Sequence, residues 1–255
     1  MINSSKNHET HYLCTIKHLP DELKMQADQK AIEINPMNEP KIELAAKVRK
    51  LWPKSGASLT VQFIDNLLPQ VELRTRILSH MNAWSQYGNI NFKEVTSGGQ
   101  VRITLRTDHP DGMYWSYLGT DILLIPSNEP TMCLGGFNMN TEEKEYRRVV
   151  RHETGHTLGY EHEQLRKEIV YKIDRQKAID YFEKWEGWLP GDTERNVLIP
   201  LEDSEIITTK NADPTSIMCY SLPGEIMKDG EPVVGGDDIS RDDGDLTSKL
   251  YPKKA

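Results

Sequence analysis

The segment His152-Glu153-Thr154-Gly155-His156-Thr157-Leu158-Gly159-Tyr160-Glu161-His162 sets three histidines four and six residues apart, with a glutamate directly after the first. It follows Glu142 to Arg151, where Tyr146, Val149 and Val150 supply an apolar face, and this predicts a helix over about 142–158. At 3.6 residues per turn His152 and His156 lie one above the other on one face, so both imidazoles can reach a single ion. Glu153 stands beside the first ligand, placed to reach a water on the metal rather than the metal. Gly159 lets the helix stop, because glycine takes the left-handed conformation at low cost, and the chain can then return His162 as a third ligand. Three neutral imidazoles with one open position make a catalytic zinc site, where water is activated and Glu153 relays its proton to a leaving amine. That chemistry is peptide-bond hydrolysis. The competing reading is a polar helix face with coincidental histidines.

The full spacing matches the metzincin signature H-E-x-x-H-x-x-G-x-x-H. Further along, Asp213-Pro214-Thr215-Ser216-Ile217-Met218-Cys219-Tyr220 resembles the methionine turn of the astacin family, and Glu163 and Tyr114-Trp115-Ser116-Tyr117-Leu118-Gly119 are similar to that family as well. Leu51-Trp52-Pro53 and Leu250-Tyr251-Pro252 resemble bacterial members. The resemblance covers about residues 51–252. It implies that His152, His156 and His162 hold one catalytic Zn2+, that Glu153 is the general base, and that Met218 is an apolar floor under the metal. Tyr220 falls where astacins carry a tyrosine that binds zinc at rest and swings away to stabilise an oxyanion, two roles that suit a phenol. Without the resemblance, Tyr220 reads as a buried tyrosine near a turn and Met218 as ordinary core. Cys219 departs from the family, where histidine is frequent. It reads as a small buried hydrophobe, with a redox or bridging role with Cys133 as the alternative.

The fold implied is α+β of the metzincin type: a twisted mixed five-stranded sheet with two long helices above the cleft, and a smaller, mostly irregular and helical lower subdomain. The catalytic domain is expected over 51–255, split into an upper part, 51–159, and a lower part, 160–255. Leu59, Val61 and Phe63 alternate as in a strand, and Leu73, Ile77, Met81 and Trp84 recur at helical spacing through 70–87. Ile90 and Phe92, then Val101, Ile103 and Leu105, predict two further strands. The run Ile122-Leu123-Leu124-Ile125 before Pro126 reads as a buried strand, and Thr131 to Leu134 as another. The family binds its protein or peptide substrate as an extra strand on a sheet edge, and Thr131 to Gly136 is the candidate edge. Astacins often favour an acidic residue just after the cleaved bond. Arg166, Arg175, Lys210 and Lys228 are equal candidates to receive it.

Residues 1–50 form an N-terminal extension, a candidate pro-segment or delivery segment. A helix is expected over about 21–34, with Asn35-Pro36 and Glu39-Pro40 as turns and a second short helix built on Ile42, Leu44, Ala45 and Val48. His8, His11, Cys14 and His18 admit three readings: a mobile polar tail, an independent metal set, or a latency device in which Cys14 blocks the open zinc position. In the acidic run 235–245, Ser240 with Asp243 three residues on predicts an N-cap for the last helix rather than a calcium loop.

The chain has 255 residues, with 31 Lys plus Arg against 39 Asp plus Glu, a net charge of −8 that argues against nucleic-acid or anionic-membrane binding. No apolar run is long enough for a membrane span or a secretory signal, which suggests secretion by a non-classical route, delivery into another cell as a bacterial effector, or otherwise a cytoplasmic protein. Three widely spaced cysteines, Cys14, Cys133 and Cys219, do not make a disulfide framework. A monomer is expected. The reading from a different class is a catalytically silent zinc-containing binding protein on the same scaffold.

Overall fold

The computed structural model describes residues 14–39, 49–109, 113–201 and 211–253. Six strands form one mixed sheet: β1 (Cys14–Lys17), β2 (Ala57–Phe63), β3 (Ile90–Glu94), β4 (Val101–Thr104), β5 (Tyr114–Tyr117) and β6 (Met132–Leu134). Their order is β1-β5-β6-β4-β2-β3, and every pairing is parallel except β5 with β6. Residues 57–134 supply five strands, the expected number. The sixth comes from the N-terminal extension.

Two helices lie against this sheet. The first, α2 (Val71–Met81), buries Leu73, Ile77, His80 and Met81 and continues as a 3-10 turn (Asn82–Gln86) that buries Trp84. The second is the histidine-bearing helix. It begins with an α-turn (Glu143–Glu145), passes through a π-turn (Tyr146–Val150) and ends in an α-helical segment (Arg151–Thr157). The predicted helix over 142–158 is thus present with its apolar face, Tyr146, Val149 and Val150, fully buried.

Ile122 to Ile125 do not form a strand. Gly119 adopts φ +47°, and a Cβ there would lie 1.8 Å from the Lys50 carbonyl oxygen, so the chain turns beneath residue 50 into a 3-10 helix (Gly119–Leu124). Ile122 and Ile125, three residues apart, then face the core, and an apolar run of four cannot by itself distinguish that outcome from a strand. A second correction concerns the edge expected at Thr131 to Gly136. Strand β6 lies between β4 and β5 with both sides paired, and the sheet edge beside the histidines is β5, on which β1 is laid.

The extension is tied to the catalytic part at several points. Helix α1 (Asp21–Ile34) carries Asp21 and Glu22 in its first turn, favourable to its dipole, and ends at Asn35 ahead of Pro36. Asn38 is fully buried; its amide donates to the carbonyls of Ala31 and Leu51 at 2.9 Å each, and its Oδ1 accepts from Leu51 N–H at 3.2 Å. Asn35 donates to the Trp52 carbonyl at 2.8 Å, and buried Lys50 pairs with Asp28 of α1 and with Asp121. Asn38→Ala strands Leu51 N–H and two carbonyls, and should cost about 2–3 kcal/mol of stability, read from the denaturant midpoint of the full chain. The expected second short helix, on Ile42 to Val48, lies outside the described residues, as do His8 and His11.

The chain signatures around 51–53 and 250–252 meet in space. Trp52 Nε1 donates to the Thr157 carbonyl at 2.8 Å, while the Tyr251 hydroxyl donates to the Leu158 carbonyl at 2.5 Å and accepts from Trp52 N–H at 3.2 Å. Together they fix the end of the histidine-bearing helix. Buried apolar side chains fall into two groups. One is built around the sheet and includes Ile217, Met218 and Tyr251; the other runs from Ile169 to Val233.

Candidate metal centre

The helical segment Arg151–Thr157 ends where expected, at Gly159 with φ +98°, whose N–H donates to the His156 carbonyl at 2.8 Å. The chain reverses and brings His162 back over the helix. His162 Nε2 then lies 3.3 Å from His152 Nε2 and 3.0 Å from His156 Nε2, so three ring nitrogens converge on one point. The opposite ring nitrogens are anchored: His152 Nδ1 meets the Ile217 carbonyl at 2.6 Å, and His156 Nδ1 meets that of Tyr160 at 2.7 Å. Such bonds fix the tautomer with the proton on Nδ1, leaving each Nε2 lone pair free for a metal.

Electrostatics agree. All three rings are buried, and burial together with the neighbouring imidazoles pushes His152 and His162 well below the usual histidine range. Burial brings His156 down to about 4. The rings stay neutral, as ligands must be. Glu153 is fully buried, and neither carboxyl oxygen has a hydrogen-bond partner. Burial pushes its carboxyl up to about 8, against the opposing pull of Cys14 and Arg148. An orphaned buried carboxylate next to three convergent, neutral imidazoles fits a divalent cation with a water beside it.

Under this cluster, Met218 packs against the helix at Gly155. A Cβ at residue 155 would stand 2.4 Å from Met218 Sδ, so glycine is what lets the thioether approach. The turn bearing Met218 is held from the far side by Asp243, in the first turn of the C-terminal helix (Arg241–Leu250). Its carboxylate accepts from Ser216 Oγ at 2.7 Å, from Ile217 N–H at 2.9 Å and from Ser240 N–H at 2.9 Å. Ser240 is the N-cap, as the acidic run suggested. Asp243 does more than complete a capping box, because the residue whose N–H it holds, Ile217, is the one whose carbonyl orients His152. Sequence reasoning missed this link; only the fold joins residue 243 to residue 217. Asp243→Ala should weaken zinc binding by about 10- to 100-fold in competition with a chromophoric chelator.

Other sequence-selected residues divide into those that join the centre and those that do not. Tyr220 is buried with its ring centroid 4.5 Å from that of His162, and its hydroxyl donates to the Cys14 carbonyl. Cys14 itself has Sγ within 4.8 Å of a His152 nitrogen and a Glu153 oxygen, although among the described residues it does not complete a four-donor set with His156 and His162. Glu163, pushed up to about 7 by burial, accepts from Asp213 N–H at 2.9 Å and so ties the segment after His162 to the methionine turn. Cys133 and Cys219 are free, buried thiols, and burial pushes Cys133 up to about 12.

A cavity of about 470 Å³ opens beside His152 and Tyr220. Its walls include Tyr181, Phe182 and Trp185 of the helix Arg175–Glu186, with Pro223, Pro232 and Val234 opposite, and its basic residues are Lys144 and Arg148. None of Arg166, Arg175 and Lys228 lines it: Arg166 pairs with Glu168, Arg175 with Glu194, and Lys228 donates to the Tyr171 carbonyl. Lys210 lies outside the described residues. The signal for Arg148 was its position four residues before His152, one turn up the same helix face.

No protein-family model and no curated protein matches the chain. Among solved structures, one titled "Structure of myroilysin" is 30% identical, with a TM-score of 0.72 over 81% of this chain and 97% of that one. A second, "Crystal structure of myroilysin", is 28% identical with a TM-score of 0.59, covering 95% of this chain and all of the other. The hatching enzyme zinc-protease HCE-1 of the medaka fish Oryzias latipes shares the fold at 18% identity and a TM-score of 0.51 over 76% of this chain and 90% of that one. No helix among the described residues is long and apolar enough to cross a membrane. With a histidine cluster able to bind zinc, a mixed sheet flanked by helices and these relatives, the chain belongs to the astacin-like zinc metalloproteases of the metzincin clan and is a metalloendopeptidase with one catalytic zinc.

Proposed function

We propose that His152, His156 and His162 hold the zinc, that Glu153 is the general base, and that residues 1–50 are an inhibitory pro-segment acting through Cys14. The bound ion supplies Lewis-acid polarisation of the scissile carbonyl and of a water. Glu153 takes the proton of that water and returns it to the leaving amine, the role of a buried carboxyl beside the metal position with no other hydrogen-bond partner. Tyr220 supplies a hydroxyl to the developing oxyanion once it lets go of the Cys14 carbonyl. Met218 closes the floor beneath the ligands.

The single observation that carries this reading is the Glu153 carboxylate, buried, unpartnered and next in sequence to a convergent histidine. A silent binding protein on the same scaffold has no use for such a group, which costs folding free energy unless it works. Latency is supported by the way β1 covers the site. Cys14 brings its thiol to His152 and Glu153 and its carbonyl to Tyr220, and β1 takes the β5 edge on which a peptide would lie. The cavity beside His152, with aromatic walls and Arg148 and Lys144 at its rim, is proposed as the subsite next to the cleaved bond.

The test is a peptide library digested with the full chain and with its Cys14→Ala variant, both loaded with zinc, and read by mass spectrometry. Internal cleavage, enhanced in the variant, is expected. Zinc-loaded protein that leaves every peptide intact in both forms would overturn the reading in favour of a binding protein.

A further inference from the structure

Side chains along β5 alternate between the two faces of the sheet. Ser116 points to the histidine-bearing helix, its Oγ 3.1 Å from Thr157 Oγ1. Trp115 and Tyr117 share the other face, their ring centroids 5.9 Å apart and their planes at 85°. Two rings nearly at right angles form a notch, and the Lys17 ammonium of β1 stands over it, 4.5 Å from the Trp115 centroid and 5.4 Å from that of Tyr117. Both distances are within the range in which a cation is held by the quadrupole of an aromatic ring. His109 packs on Trp115, with centroids 4.7 Å apart. The register places Lys17 opposite Tyr117 and Cys14 opposite Tyr114. The cation site is therefore three residues along the edge from the residue that meets His152 and Glu153.

We infer that Trp115 and Tyr117 form a cation subsite on the β5 edge, filled by Lys17 while the extension is docked, and taking a lysine or arginine three residues from the cleaved bond once a peptide substrate replaces it. The inference rests on the peptidase reading for its second half only. A peptide laid on the same edge with its reacting bond at Glu153 puts the side chain three positions away on the same face and at the same distance along the strand as Lys17. Alternation by twos sends residues one and three positions from Cys14 to the notch side and residues two away to the helix side. Only the position opposite Tyr117 meets both rings in the way Lys17 does. Trp115 and Tyr117 are buried with β1 docked, and removal of a charge above them from water strengthens its attraction to the rings.

Two measurements test this. In the full chain, amide exchange across Thr15 to Lys17 reports docking of β1. Lys17→Gln should exchange about 3- to 30-fold faster than the unmodified chain, and Lys17→Arg should stay within about twofold of it. Equal protection in Lys17→Gln would overturn the cation site. In the zinc-loaded Cys14→Ala chain, quenched peptides carrying Lys, Gln or Glu three residues to either side of one cleavable bond are compared. On one side, Lys should exceed Gln by about 3- to 30-fold in kcat/KM, with Glu lowest, and Trp115→Phe, which keeps the core filled with a weaker cation-binding ring, should shrink that preference. Identical rates for Lys and Gln on both sides, or a preference unchanged by Trp115→Phe, would overturn the substrate half. If no peptide is cleaved, the peptidase reading fails, whereas the exchange result still decides whether the notch holds a cation.

Discussion

Glu153→Gln should leave the chain folded and zinc-loaded while lowering kcat/KM for peptide cleavage by about 10²- to 10⁴-fold, the range that a positioned general base contributes. Glutamine has nearly the same shape and fits the same buried space, so the three imidazoles keep their carbonyl anchors at Ile217 and Tyr160. What is lost is a group able to accept a proton. Two readouts separate the possibilities: zinc content by metal analysis, expected to stay at one per chain, and peptide cleavage, expected to collapse. Undiminished cleavage would remove Glu153 from the proton relay.

Cys14→Ala is the second change with a large expected effect, and in the opposite direction. In the full chain the Cys14 thiol lies against His152 and Glu153, and β1 blocks the β5 edge. Deleting the thiol removes a buried group packed beside His152 and Glu153, on the order of 1–2 kcal/mol of docking, and so should raise the fraction of chains with an open site by about 5- to 30-fold. The rise appears as peptidase activity of the unprocessed chain. Full release is not expected, because Asn38, Asn35 and the Lys50–Asp28 pair still hold the extension to the catalytic part. An unchanged rate at full zinc occupancy would show that Cys14 does not restrain the enzyme.

Much of the metal site was legible in the sequence because its key features are local. His152 and His156 are one helical turn apart, and Gly159 marks the reversal that returns His162, so one eleven-residue segment encodes the three convergent histidines and the glutamate proposed as the base. Strands β2, β3 and β4 were readable from their alternation, and Asp21–Ile34 from the proline turn signals around it. The errors came where a long-range contact decided the outcome. Nothing near Ile122 reports that the chain must turn at Gly119 against the carbonyl of Lys50, a residue far away in sequence, so closely that a Cβ on residue 119 would lie 1.8 Å from it. Likewise the order of strands in a sheet is not a property of any one strand. Met132–Leu134 looked like an edge by its position before the active-site helix, and it is an interior strand because β5 folds back antiparallel beside it. Asp243 was read as a cap, which it is, but its grip on Ile217 depends on the C-terminal helix docking under the methionine turn.

On the proposed reading, latency and recognition use the same surface. β1 runs parallel to β5 and occupies the hydrogen-bonding edge, the aromatic notch and the approach to Tyr220 at once. Under that proposal the four residues of β1 cover all three, and Asn35, Asn38 and the Lys50–Asp28 pair hold the described part of the extension in place.

The most direct test of the central claim is peptide cleavage by the Cys14→Ala chain before chelation, after chelator treatment and after return of one equivalent of zinc. The account predicts loss of cleavage with the metal and recovery at one zinc per chain, with no recovery in a chain also carrying Glu153→Gln. Cleavage that persists in zinc-free protein would contradict it.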